Sequence, residues 1–322
     1  MEKSANQTIL NDRYVIQAKV GSGLTSKVFK VFDVQTGETK AAKIFNDDAV
    51  ATFKKEQKIL SHIEKINSPS NIKCYEVNEG YIKESGKVEQ KKYAILEYGD
   101  HGTLFDAVSA TKKGFNESVC KFQFWKMLIA LETLHKNGIC HRDFKPENVI
   151  FVGSTYDLKL IDFGFTVKFL NENNEKKKLK RAVGTPYYCA PEILEGNSYE
   201  GDKVDIFSLG ATLFVLMTKK FAFEEAKVNN ISVKPVKILY KLIKTKQYDK
   251  YWEILDNYFG IKNLSQDFKN LFVKLVAYEP GDRPTIEQIK KDDWLKEVVN
   301  ADEEKMMNIR EQMISEINFS QA

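Results

Sequence analysis

VGSGLTSKVFKV, residues 20–31, sets two glycines one residue apart and then puts Ser26 where a third glycine would complete a G-x-G-x-x-G run. Such a run can open a dinucleotide-binding helix, a P-loop, a lid over phosphates or a plain hairpin turn. A dinucleotide fold needs strand, glycine turn, then helix, with the pyrophosphate on the helix N-terminus. Here RYVIQAKV (13–20) reads as a strand, but KVFKVFDV (27–34) after the glycines reads as another. The turn QTGE (35–38) and a third strand, TKAAKIF (39–45), follow it. A P-loop needs G-x-x-x-x-G-K-S/T; counted from Gly21, the second glycine is Ser26 and the residue after Lys27 is Val28. Both readings fail. The glycines sit in a hairpin, where backbone N–H groups can approach a phosphate because no Cβ intervenes. Alone, that is no more specific than a tight turn.

Working outward, Lys43 falls on the third strand and Glu56 on a helix whose apolar stripe is Phe53, Ile59, Leu60 and Ile63. A lysine reaching for phosphates needs a carboxylate to hold it, and Glu56 is placed for that. Beyond them stand HRDFKPEN (141–148), DFG (162–164), GTPYYCAPE (184–192), DIFSLG (205–210) and GDRPT (281–285). In this order the set resembles the eukaryotic protein kinase family, serine/threonine type, over about residues 14 to 297. GTPYYCAPE and LFDAV (104–108) lean towards its calcium/calmodulin-dependent kinase-like and NEK-like groups without separating them.

The resemblance implies an α+β, two-lobed protein kinase fold with a small β-rich N-lobe and a larger, mostly helical C-lobe. The expected divisions are an N-terminal extension (1–13), the N-lobe (14–98), the C-lobe (99–297) and an amphipathic helical tail (298–322). It also implies transfer of the ATP γ-phosphate to serine or threonine hydroxyls of proteins. Catalysis of that kind is mostly positioning and charge neutralisation. By the resemblance, Asp143 accepts the hydroxyl proton, Lys145 offsets charge on the moving phosphoryl group, and Thr185 contacts both. Lys43, held by Glu56, meets the α- and β-phosphates. Gly21, Ser22, Gly23, Ser26 and Val28 cover the nucleotide together with Ala41. Leu96 is the gatekeeper, and the backbone of Glu97, Tyr98 and Gly99 meets adenine. Asn148 and Asp162 are expected to hold two Mg²⁺ ions, which prefer hard oxygen ligands. Asp205 braces the catalytic-loop backbone and Arg283 pairs with Glu192. His141, Phe163, Leu60 and Cys74 are read as a buried stack. The third glycine position tolerates small residues, so Ser26 weakens the motif without refuting it.

The alternative class is a pseudokinase scaffold that binds partners without catalysis. Lys43, Glu56, Asp143, Asn148, Asp162 and Gly164 are all present, which favours the enzyme. Arg142 before Asp143 normally implies an activation-loop phosphate. Between Asp162 and Glu192, however, the only hydroxyls are Thr166, Thr185, Tyr187 and Tyr188, and Arg181 occupies the usual phosphosite. Activity without loop phosphorylation is therefore expected, with Glu172, Glu175 or a partner supplying the anion. Glu147 suits an arginine two residues before the target. Thr103 replaces the glutamate that meets an arginine further upstream, with Asp100 or Asp106 as partial compensation.

Composition bounds the rest. The 322 residues carry net charge +4, spread along the chain, which gives no case for nucleic acid; KKKLKR (176–181) is read as a solvated loop. Only Arg13, Arg142, Arg181, Arg283 and Arg310 are arginines among 49 basic residues, so a retained arginine is read as wanted for its planar head. Cys74, Cys120, Cys140 and Cys189 form no metal or disulfide pattern. No apolar run reaches membrane-spanning length and no signal-peptide or EF-hand pattern stands out. A soluble cytoplasmic monomer, with the nucleus as a second location, is expected. In the tail, Met306, Ile309, Met313 and Ile317 recur at helical spacing. They read as a helix packed on its own lobe, with a regulatory-partner site as the alternative.

Overall fold

Three strands read from the opening stretch form where their patterns place them: β2 (Tyr14–Ser22), β3 (Ser26–Asp33) and β4 (Glu38–Phe45). The computed structural model describes residues 7–223, 227–228, 231–232 and 235–318. It contains two units: the chain up to His101 with Phe151–Gly164, and Gly102–Ile150 with the chain from Phe165 on.

In the first unit, β1 (Ile9–Leu10), β5 (Cys74–Glu84) and β6 (Lys87–Glu97) close an antiparallel barrel in the order β1-β2-β3-β4-β6-β5. Alternate residues turn inward, as a period of two requires: Leu10, Tyr14, Val31, Ala42, Ile44, Tyr93 and Ile95 make the buried cluster. Asp33 is fully buried and takes a forked pair from Arg13 at 2.8 and 2.7 Å and a third bond from Lys40 at 2.7 Å. The Arg13 guanidinium holds its carboxyl well below the usual carboxylate range, against the opposing pull of burial. Helix α1 (Val50–Ile66) buries Phe53, Ile59, Leu60 and Ile63, the expected stripe, together with Glu56. The sequence places a polar hairpin with an exposed turn at 84–92; β5 and β6 form that hairpin, with Ser85 and Gly86 as its turn at φ of 47° and 79°. Lys87–Lys92 begin β6, since backbone pairing from a tight two-residue turn needs no buried face.

The second unit is mostly helical. Helices α2 (Leu104–Ala110) and α3 (Glu117–Lys136) precede α4 (Pro191–Leu194) and α5 (Gly201–Thr218), whose residues are buried from Val204 to Leu216. Asn116 caps α3 by accepting from Val119 N–H at 3.0 Å, and Gly138 follows its end at φ 69°, a left-handed stop that suits glycine. The segment 225–252, read as a helix and its connection, gives α6 (Pro235–Lys244) and the start of α7 (Tyr248–Phe259), separated at Lys246 with φ 55°. Positions 225–226, 229–230 and 233–234 lie outside the described residues. Helices α8 (Gln266–Leu275), α9 (Ile286–Lys290) and α10 (Lys296–Val299) lead to α11 (Glu303–Asn318).

Helix α11 packs on α2 and α3. Its Ile309 and Met313 are buried and Met306 and Ile317 partly so. The tail helix therefore covers part of its own unit. Among the described residues no helix is long and apolar enough to cross a membrane.

Candidate active site

In the first unit the glycine turn spans the gap between β2 and β3, closed by Gly23 N–H donating to Ser26 O at 2.8 Å. Neither Gly21 nor Gly23 has a left-handed φ. A Cβ there would meet only Val28 at 3.6 Å or Ser26 O at 3.8 Å, so the fold itself does not demand glycine. What the missing side chains leave is open backbone, suited to a close-lying ligand. Ser26 is buried, starting β3 opposite Phe45. Ser22 is exposed and Val28 half-buried; Val28 pairs with Lys43, and Ala41 pairs with Leu96 across β4 and β6. Glu97 N–H is spent on Lys73 O at 2.9 Å, while Tyr98 and Gly99 are half-buried beyond the strand end.

Lys43 Nζ lies 2.5 Å from Glu56 Oε1 and 2.9 Å from Asp162 Oδ1. Burial opposes its charge, but Asp162 and Glu56 outweigh that and hold the ammonium above the ordinary lysine range. Burial raises the Glu56 carboxyl, with Lys43 opposing. Asp162 has a left-handed backbone, φ 59°, and a half-exposed carboxylate. A Cβ at Gly164 would press on that carboxylate at 3.3 Å, and Lys55 Nζ donates to Gly164 O at 3.0 Å. The sequence reading did not include Lys55; one position before Glu56 on α1, it carries no pattern of its own.

In the second unit, Asp205 on the buried face of α5 accepts from His141 N–H at 2.8 Å and Arg142 N–H at 2.7 Å. His135 Nε2 lies 2.8 Å from the same carboxylate, a contact the sequence reading missed. This clamp fixes the loop that presents Asp143. Asp143 Oδ1 accepts from Thr185 Oγ1 at 2.8 Å. Its Oδ2 accepts from Lys145 Nζ at 2.9 Å and Asn148 Nδ2 at 3.1 Å. Lys145 also donates to Thr185 Oγ1 at 2.6 Å, and Asn148 Nδ2 to Asp143 O at 2.8 Å, which turns the Asn148 carbonyl oxygen away from Asp143. Every neighbour of the Asp143 carboxylate named here is a donor. Gly184 is forced: its φ is 108° and a Cβ would lie 2.7 Å from Arg142 O. Cys189 is buried and its thiol pushed up to about 12, chiefly by burial, so it packs rather than reacts. Arg283 forks onto Glu192 at 2.7 and 2.8 Å, both buried.

This chain belongs to the protein kinase family. The protein kinase domain family matches residues 14–295, and the barrel unit, the helical unit and the motif geometry accord with it. The kinase is 31% identical over 296 residues to CBL-interacting protein kinase 9 of Oryza sativa subsp. japonica, covering 91% of this chain and 58% of that protein. It is also 31% identical over 289 residues to the SNF-related serine/threonine-protein kinase of Homo sapiens, covering 88% of this chain and 34% of that one. With calcium-dependent protein kinase 5 of Plasmodium falciparum the identity is again 31%, over 295 residues, 90% of this chain and 47% of the relative. The kinase thus spans between a third and three fifths of the length of these relatives.

One expectation about charged groups changes. Glu172 and Glu175 do not supply an anion to Arg142: its guanidinium donates to Phe165 O and the Tyr199 hydroxyl, while Glu175 is held by Asn171. Thr103 and Asp106 form a capping box on α2, each side chain bonded to the other's backbone N–H at 3.0 and 2.9 Å. The cap uses one oxygen of the exposed Asp106 carboxylate. Thr103→Ala is expected to cost about 1 kcal/mol in urea unfolding, as loss of a helix cap does, with peptide KM unchanged. Thr166 is wholly buried.

Proposed function

We propose that this kinase transfers the γ-phosphoryl group of ATP to serine or threonine hydroxyls of protein substrates. The observation that carries the reading is the Asp143 cluster, a carboxylate ringed by Thr185, Lys145 and Asn148. In this reading Asp143 takes the hydroxyl proton as the substrate oxygen bonds to the γ-phosphorus. The bond from that phosphorus to the β,γ-bridging oxygen breaks and ADP leaves. Lys145 offsets the charge on the transferring oxygens, and Thr185 holds the carboxylate in line. Lys43, kept charged by Glu56, would hold the α- and β-phosphates, under the open backbone of Gly21–Gly23. Asn148 and Asp162 offer hard oxygen donors of the kind Mg²⁺ takes; when bound, the ions neutralise phosphate charge. Lys145 within HRDFKPEN supports the serine/threonine class, as does the name of one of these relatives. A cytoplasmic monomer, present in the nucleus as well, acting without loop phosphorylation, completes the proposal.

The test uses chain expressed in bacteria, treated with phosphatase until mass spectrometry shows a bare loop, and assayed with ATP and Mg²⁺ on a serine/threonine peptide library. Incorporation by the bare enzyme is expected, with no dominant arginine three residues before the target. That follows because Thr103 stands where a glutamate would meet such an arginine, and its hydroxyl serves a helix cap. No incorporation under any condition would leave the scaffold class standing. Activity that appears only with phosphate on Thr185 would remove loop independence.

A further inference from the structure

Arg142 is buried with a left-handed backbone, φ 67°. Its Nε and Nη2 donate to Phe165 O at 2.8 and 2.6 Å, and its Nη1 donates to Tyr199 Oη at 2.8 Å. The Tyr199 hydroxyl in turn donates to Arg181 O at 2.6 Å. One buried hydroxyl thus spends its proton on the activation loop and a lone pair on the catalytic-loop arginine. Around it the loop is pinned again. Leu179 and Tyr199 exchange both backbone hydrogen bonds at 2.8 Å, Lys178 pairs with Glu200 at 2.8 Å, and Lys176 pairs with Asp202 at 2.6 Å.

We propose that Tyr199 is a positioning residue that ties residues 179–181 of the activation loop to Arg142. The order of this loop is then set by a neutral hydroxyl built into the chain rather than by a transferable anion. The proposal deepens the transfer reading above and rests on it for its kinetic part only. The Tyr199 hydroxyl bonds to both Arg142 Nη1 and Arg181 O. Phenylalanine keeps the ring and its packing but leaves buried Arg142 Nη1 short of a hydrogen bond, which is costly, and releases Arg181 O from the link. The ion pairs of Lys176 and Lys178 involve more exposed side chains and are too weak to hold the loop alone.

The loop supplies its own reporter. Lys176, Lys177, Lys178, Lys180 and Arg181 are trypsin sites, so opening of this segment can be read as cleavage within it. The full chain is compared as wild type, Tyr199→Phe, Arg142→Lys and the double variant. Tyr199→Phe is expected to raise the initial cleavage rate inside 176–181 by about tenfold, the scale of one unmet buried polar group, without faster cleavage elsewhere. It should also lower kcat for a peptide substrate several-fold with KM for ATP unchanged. In the double variant the effect of Tyr199→Phe should largely vanish, because the two groups act as one link. Unchanged cleavage in Tyr199→Phe overturns the proposal whatever the activity. Additive effects in the double variant also overturn it, since they make the tyrosine a packing residue. Faster cleavage in a chain that phosphorylates no peptide keeps the loop link and removes the transfer reading.

Discussion

Asp143→Asn is expected to lower kcat about 10²- to 10⁴-fold, the usual contribution of a positioned general base. The substitution keeps the shape of the side chain and so isolates its chemistry. The Asp143 carboxylate accepts from the Thr185 hydroxyl, the Lys145 ammonium and the Asn148 amide. An asparagine has only one oxygen for these three donors, and its amide nitrogen must face at least one of them. The proton of the incoming hydroxyl then has no acceptor and Lys145 loses its countercharge. Binding of ATP should change little, because Lys43 and Glu56, which would hold it, are untouched. The measurement is steady-state kcat and KM on a library-selected peptide, with thermal unfolding to show that the variant is folded. Wild-type kcat in a step limited by chemistry would move the proton acceptor away from Asp143.

Much of this site is legible in the chain because its groups come in short rigid runs. HRDFKPEN carries Asp143, Lys145 and Asn148 within six residues, and a short loop clamped by Asp205 leaves them little freedom. The Lys43–Glu56 pair is legible for a related reason: strand β4 and helix α1 are adjacent elements, and α1 has a clear apolar stripe. The arginine prior also has structural support. Arg13 and Arg283 each fork onto a carboxylate, and Arg142 spreads three nitrogens over two acceptors.

What was not legible is contact between distant residues that carry no motif. Tyr199 stands 57 positions from Arg142, in a run whose only other signal is the start of α5. His135 reads as an ordinary last-turn residue of α3, yet it shares the carboxylate of Asp205. A loop anion for Arg142 is not needed because a buried guanidinium wants hydrogen-bond acceptors rather than charge alone, and a backbone carbonyl and a phenol hydroxyl provide them.

Removing the chain after Val299 is expected to destabilise the second unit, and it decides what the tail is for. Periodicity alone left two readings of α11, because an apolar stripe looks the same whether its own domain or a partner covers it. The contacts favour the first. Met313 is fully buried, with Gln123 Nε2 3.0 Å from its sulfur, and Ile309 is 5% exposed. Glu316 accepts from the backbone N–H and side-chain amide of Asn116, the cap of α3, so a carboxylate sits at that helix's positive end. Burying two such apolar side chains contributes about 1.5–3 kcal/mol each, partly offset by the cost of ordering the helix. A net loss of about 2 kcal/mol should lower the thermal midpoint by on the order of 5 °C, with KM for ATP unchanged. Met313→Asp in the full chain should reproduce most of that drop, since it sets a carboxylate in the same apolar contact without shortening the chain. If truncation and substitution both leave the midpoint unchanged, α11 is not held by its own unit, and its apolar face is free for a partner. If truncation lowers the midpoint and the substitution does not, the stabilising contact is the Glu316–Asn116 cap, and Glu316→Gln should then carry the loss.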